Sequence, residues 1–67
     1  MTPDELYRAV LKLDTTQQKL ARLLGYDDRT MRRWVAGDRA IPTAVAILVR
    51  LLVAGKISPA DVDAVRP

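Results

Sequence analysis

The chain contains no cysteine and no histidine. Without cysteine it forms neither a disulfide staple nor a thiolate zinc site. Without histidine as well, the usual nucleophile–base pairs and almost every transition-metal site are missing. Neither an enzymatic activity nor a metal or cofactor is expected. Long apolar runs are missing too: Ala44 to Val49 soon meets Arg50, Gly55 and Lys56, far short of the ~20 apolar residues a membrane span needs. The start, with Pro3, Asp4 and Glu5, has no basic n-region and no apolar h-region. A soluble, cytoplasmic protein without a membrane partner is expected. With only three glycines and no alternating β-branched runs, strands have little support either.

What remains is a short, basic, helical sequence. Its 67 residues allow one domain, residues 1–67, and a domain of this size buries only about 60% of the surface its unfolded chain exposes. The net charge of +3 permits a polyanionic partner. That charge is concentrated. Between Gln17 and Arg39 lie six basic residues (Lys19, Arg22, Arg29, Arg32, Arg33, Arg39) and three acidic ones (Asp27, Asp28, Asp38), while the rest carries five of each sign.

Five helices are expected. Thr2-Pro3-Asp4-Glu5 supplies an N-cap, a proline at N1 and a possible capping box, followed by Leu6, Ala9, Val10 and Leu13 on one face. The first helix should run from about Pro3 to Leu13. Thr15 and Thr16 are alternative caps for the second, with Gln18 able to complete a box with Thr15. Leu20, Ala21, Leu23 and Leu24 form its apolar face and Gly25 stops it. Asp27 then caps a third helix, Asp28 suits its positive end, and Met31, Trp34 and Val35 repeat at helical spacing before Gly37. A fourth helix begins at Pro42 or Thr43 and reaches about Ala54. It is apolar nearly all round, so it is either central to the core or covered by a partner. Ser58-Pro59 opens a fifth, roughly Pro59 to Val65, with Ile57 able to staple onto Val62.

The spacing within residues 17–36 is informative. Only three residues, Gly25 to Asp27, separate the second helix from the third, which forces a sharp bend between packed neighbours. That is a helix-turn-helix layout. Ala21 is small where two helices approach closely, and Leu20, Leu24, Met31 and Trp34 occupy inward positions.

The run Gln17-Gln18-Lys19-Leu20-Ala21-Arg22-Leu23-Leu24-Gly25, then Arg29-Thr30-Met31-Arg32-Arg33-Trp34 and Gly37, resembles the phage-repressor/Cro-type (XRE-like) helix-turn-helix regulators. The likeness covers most of the chain and implies an all-α, five-helix, lambda-repressor-like fold. It departs from the family pattern at Tyr26, where a small aliphatic is more usual, and at the acidic pair Asp27-Asp28. The resemblance implies base reading by Asp28, Arg29, Arg32 and Arg33, and phosphate contacts from Gln17 and Arg39, with Thr16 and Thr30 as further candidates. It also implies a homodimer on a palindromic double-stranded DNA operator, its recognition helices about 34 Å apart. The implied role is a repressor of a phage or mobile-element operon, including its own. Beyond the helices there is room for no ligand domain, so no small-molecule ligand is expected.

Other readings of the same residues stay open. Asp28 and Arg32, at i and i+4, can form a surface ion pair, and Asp28 can accept from cytosine N4 or simply favour the helix dipole. Trp34 is read as core rather than a base-stacking group, and Tyr26 as turn packing with its hydroxyl in water, a phosphate contact being the alternative. Arg8, Lys12, Arg22 and Arg66 are read as solvated. A helical interaction module or antitoxin, capturing a protein through the apolar fourth helix, is the competing expectation.

Overall fold

Side-chain caps mark most of the helix starts. In a computed structural model describing residues 1–66, α1 spans Pro3–Lys12, α2 Gln17–Leu24, α3 Asp28–Ala36, α4 Thr43–Val53 and α5 Pro59–Val65. Among the described residues there is no strand. Thr2 accepts the Glu5 amide at 3.1 Å, Thr16 that of Lys19 at 3.1 Å, Asp27 that of Thr30 at 2.8 Å, and Ser58 that of Asp61 at 3.2 Å. Only α4 starts without such a bond, behind Pro42.

Three details differ from expectation. The α2 cap is Thr16 and not Thr15, so no Thr15–Gln18 box exists. The Thr15 amide is already bound to the Val10 carbonyl at 3.3 Å, which assigns that residue to the close of α1. The α1 box is half formed. Glu5 turns its carboxylate to Arg50, which donates from Nε at 2.9 Å and from Nη2 at 3.0 Å, because a two-pronged charged pair is stronger than a bond to a neutral amide. Conversely, the α5 start has a complete box, the Ser58 amide donating to Asp61 Oδ2 at 2.8 Å.

The end of α1 carries a left-handed residue that is not glycine. Asp14 sits at φ 52°, its amide bound to the Leu11 carbonyl at 3.1 Å. An L-residue is held there at a cost of about 1–2 kcal/mol, whereas glycine's extra unfolded-state freedom costs only about 0.4–1 kcal/mol. Asp14→Gly is therefore expected to stabilise the fold by roughly 0.5–1 kcal/mol. That raises Tm by roughly 2–8 °C in a domain of this size, as thermal unfolding followed by circular dichroism will show. A lower Tm would mean that the aspartate contributes something beyond backbone geometry.

All five helices feed one core: Leu6, Ala9 and Val10; Leu20 and Ala21; Met31 and Trp34; Val45, Val49 and Leu52; and Val62. No polar or charged residue is buried among those described. α3 packs against α1 and α2, α4 against α1, and α5 against α2. The radius of gyration is 10.9 Å, the value expected of a single compact domain of this length. Leu23, Leu24 and Val35 are only partly buried, at the margin of the apolar faces assigned to them.

α4 is not buried on every side. Val45, Ala46, Val49 and Leu52 point inward, while Ala44 and Ile47 are exposed and Leu48 and Leu51 half-buried on the opposite side. Arg66 is not simply solvated either. Its Nη1 donates to the Arg22 carbonyl at 3.0 Å and pairs with Asp63 at 3.2 Å, tying the end of α5 to the last turn of α2. No helix among the described residues is long and apolar enough to cross a membrane.

Candidate nucleic-acid interface

The geometry of residues 16–39 is set by two helix ends and one helix start. α2 stops at Gly25, in the left-handed region at φ 84°. The Tyr26 amide reaches back to the Ala21 carbonyl at 2.8 Å and the Gly25 amide to that of Arg22 at 3.1 Å. This six-to-one and five-to-two pair is the Schellman arrangement, which needs a residue free of Cβ strain at its turn. Two residues later the Asp27 side chain caps α3. Tyr26 lies between, its ring edge-on to Trp34 with centroids 4.7 Å apart and planes at 70°. The bulky residue at the turn thus covers the core indole, as its turn-packing role requires. Trp34 is 1% exposed and belongs to the core.

Burial of Trp34 and Met31 fixes which way α3 faces. At 100° per residue, Asp28, Arg32, Ala36, Arg29 and Arg33 occupy an outward arc of about 140°. Arg29, Arg32 and Ala36 are exposed and Asp28 and Arg33 half-buried. The four base-reading candidates therefore share one face. Thr30 lies beyond its edge, half-buried, with its amide given to Asp27. Thr16 and Gln17 are at the far end of α2, about 12 Å along the helix from Gly25. The exposed Thr16 hydroxyl accepts from Lys19 and keeps its own proton to donate. Gln17 is half-buried at the first helical position, where backbone amides lack intrahelical partners. Arg39 is exposed in the loop after α3.

The ion pairs sort the arginines into two groups. Arg8 pairs with Asp4 at 2.9 Å, Arg50 with Glu5 at 2.9 Å, and Arg66 with Asp63 at 3.2 Å. All three lie outside residues 17–39. Among the described residues, Arg22, Arg29, Arg32, Arg33 and Arg39 have no ion-pair partner, so the proposed Asp28–Arg32 pair is not formed. Arg22, expected only to be solvated, is exposed and belongs with this group. It sits on α2, away from the outward arc of α3 that carries Arg29, Arg32 and Arg33.

Hydrogen bonds from Thr30, with smaller contributions from the nearby Arg29 and Arg32 charges, hold the Asp27 carboxyl below its ordinary value. The Arg50 hydrogen bonds do the same for Glu5. Depressed carboxylates stabilise the fold above their unfolded pKa, and that stability is lost as pH falls through the folded values. Tm is thus expected to be level above about pH 5 and to fall below roughly pH 4, near the ordinary carboxylate range. Asp27→Asn, which still caps but cannot titrate in this range, should flatten part of the decline. Melting curves between pH 7 and pH 3 test this; identical slopes for both proteins would remove Asp27 as a source.

No protein-family model matches the sequence, and comparison with curated proteins and with solved structures gives no match.

Proposed function

We propose that this chain is a sequence-specific double-stranded-DNA-binding transcriptional regulator, with α2 and α3 forming a helix-turn-helix of the phage-repressor/Cro type. The observation that carries this reading is the segregation of the arginines. Those outside residues 17–39 are neutralised by a carboxylate, and those inside have none among the described residues. Arg29 and Arg33 stand at i and i+4, where like charges repel by a few tenths of a kcal/mol. A face shaped only for stability would pair or separate them. A phosphate-lined major groove supplies the missing counter-charge.

In this reading α3 enters the major groove and Asp28, Arg29, Arg32 and Arg33 meet base edges. Thr16, Gln17, Thr30 and Arg39 hold phosphates and set the register. Repression follows from occupying a promoter. The open stripe on α4, with Ile47 53% exposed, is the surface through which two copies join on a palindromic operator. No small-molecule ligand or cofactor takes part. The same stripe favours a second reading, a module that captures another protein and reads no bases.

Salt separates the two. Between 50 and 200 mM, DNA affinity should fall about 3.5-fold for every ionic phosphate contact, measured by anisotropy of a labelled duplex. An apolar protein interface should barely respond, so binding indifferent to salt would favour the second reading.

A further inference from the structure

The outward arc of α3 includes one carboxylate, in the first turn of the helix, and it has no ion-pair partner among the described residues. Asp27, not Asp28, caps the helix. Asp28 forms no ion pair with Arg32 or any other cation among the described residues. It is half-buried beside three arginines without counter-ions. Placed near a phosphate backbone, an unpaired carboxylate repels the partner and lowers affinity. The helix dipole offsets part of that repulsion, and a hydrogen-bond donor on the DNA would offset more of it.

The major groove offers two amine donors, adenine N6 and cytosine N4. Adenine places its N7 acceptor next to the amine, which repels an acceptor-only carboxylate. Cytosine has no neighbouring acceptor of its own. Arginine's planar fork matches guanine O6 and N7. Asp28 and Arg32 lie one turn apart on the same edge of α3, about 6 Å along its axis, which is close to the rise of two base pairs.

Resting on the DNA-binding reading above, we infer that α3 selects a G·C-rich half-site, in which Asp28 accepts from a cytosine amine and the arginines take guanines within one or two base pairs. Asp28 is then a specificity residue that gains little affinity and rejects wrong sequences. Its removal acts in two directions at once. Discrimination at one base pair disappears, and attraction to arbitrary DNA rises because a negative charge has left the face.

The experiment is selection of bound sites from a random duplex pool with the unaltered chain, Asp28→Asn and Asp28→Ala. Circular dichroism of each protein verifies the fold. The unaltered chain is expected to enrich a G·C-rich site with one cytosine position per half-site, preferred about 5- to 150-fold over other bases. Asp28→Asn should move that preference to adenine, whose N6 and N7 an amide bonds together. Asp28→Ala should level it while binding unrelated DNA at least as well as the parent. An A·T-rich site, or a site unchanged in both variants, overturns the inference and leaves the DNA-binding reading standing. Enrichment of no site at all removes both.

Discussion

Trp34→Ala is expected to leave little cooperatively folded protein at room temperature. A core tryptophan truncated to alanine costs about 3–5 kcal/mol, through lost transfer energy and the cavity left behind. Domains are stable by roughly 0.05–0.15 kcal/mol per residue, which for this chain is about 3–10 kcal/mol in total. The loss is therefore a large part of the whole. Trp34 is also the residue least able to be replaced by relaxation of its surroundings. It is the largest of the fully buried side chains, it lies on the helix that packs against both α1 and α2, and Tyr26 rests edge-on against it. Urea titration monitored at 222 nm decides the matter. Trp34→Phe, which keeps most of the volume, should lose much less than Trp34→Ala. If the two variants unfold at the same denaturant concentration as the parent, the indole is not central to the core.

The consequence reaches the arginine face. Trp34 and Met31 are what orient α3, so the outward arc exists only because the opposite side is anchored. That much was legible in the sequence. Met31 and Trp34 recur at helical spacing, Asp27 and Gly37 bracket the helix, and the register of the outward residues follows from the period alone. Thr16, Gly25 and Ser58 are equally local signals, since each acts on amides or carbonyls within its own turn. What the sequence could not reveal is non-local. The Glu5–Arg50 pair joins residues 45 apart, and Arg66 reaches a carbonyl 44 residues away. Neither pairing has a period or a spacing. The half-formed box at Thr2 follows from the same fact, for a local motif gave way to a distant and stronger acceptor–donor match.

α4 shows the limit differently. A periodic pattern identifies a buried face only by contrast with a polar one, and Val45 to Val53 offers almost none. Packing against α1 selected Val45, Ala46, Val49 and Leu52. The residue types would have served equally well turned by half a circle. The exposed apolar stripe is the remainder of that choice, and for this reason it supports both the dimer and the protein-partner reading.

The arginines admit a sharper division. On a selected cognate site, Arg33→Ala is expected to cost about 1–3 kcal/mol and to relax preference at one base pair. Arg39→Ala should instead weaken all sequences alike and reduce the salt slope by about one. The contrast follows from position. Arg33 is half-buried on the α3 arc, whereas Arg39 is exposed in the loop after α3. A guanidinium on the face that meets base edges can discriminate between them; one beside the groove supplies charge to phosphate. Arg8→Ala is the control, because its charge is already answered by Asp4 outside the proposed interface, and it should change neither preference nor slope. Binding isotherms on cognate and scrambled duplexes at several salt concentrations separate these outcomes. If Arg33→Ala weakens cognate and scrambled DNA equally, Arg33 holds phosphate and the base-reading face must be narrowed to Asp28, Arg29 and Arg32. If Arg8→Ala behaves like Arg39→Ala, the charge of the whole molecule governs binding, and the segregation of unpaired arginines loses its meaning.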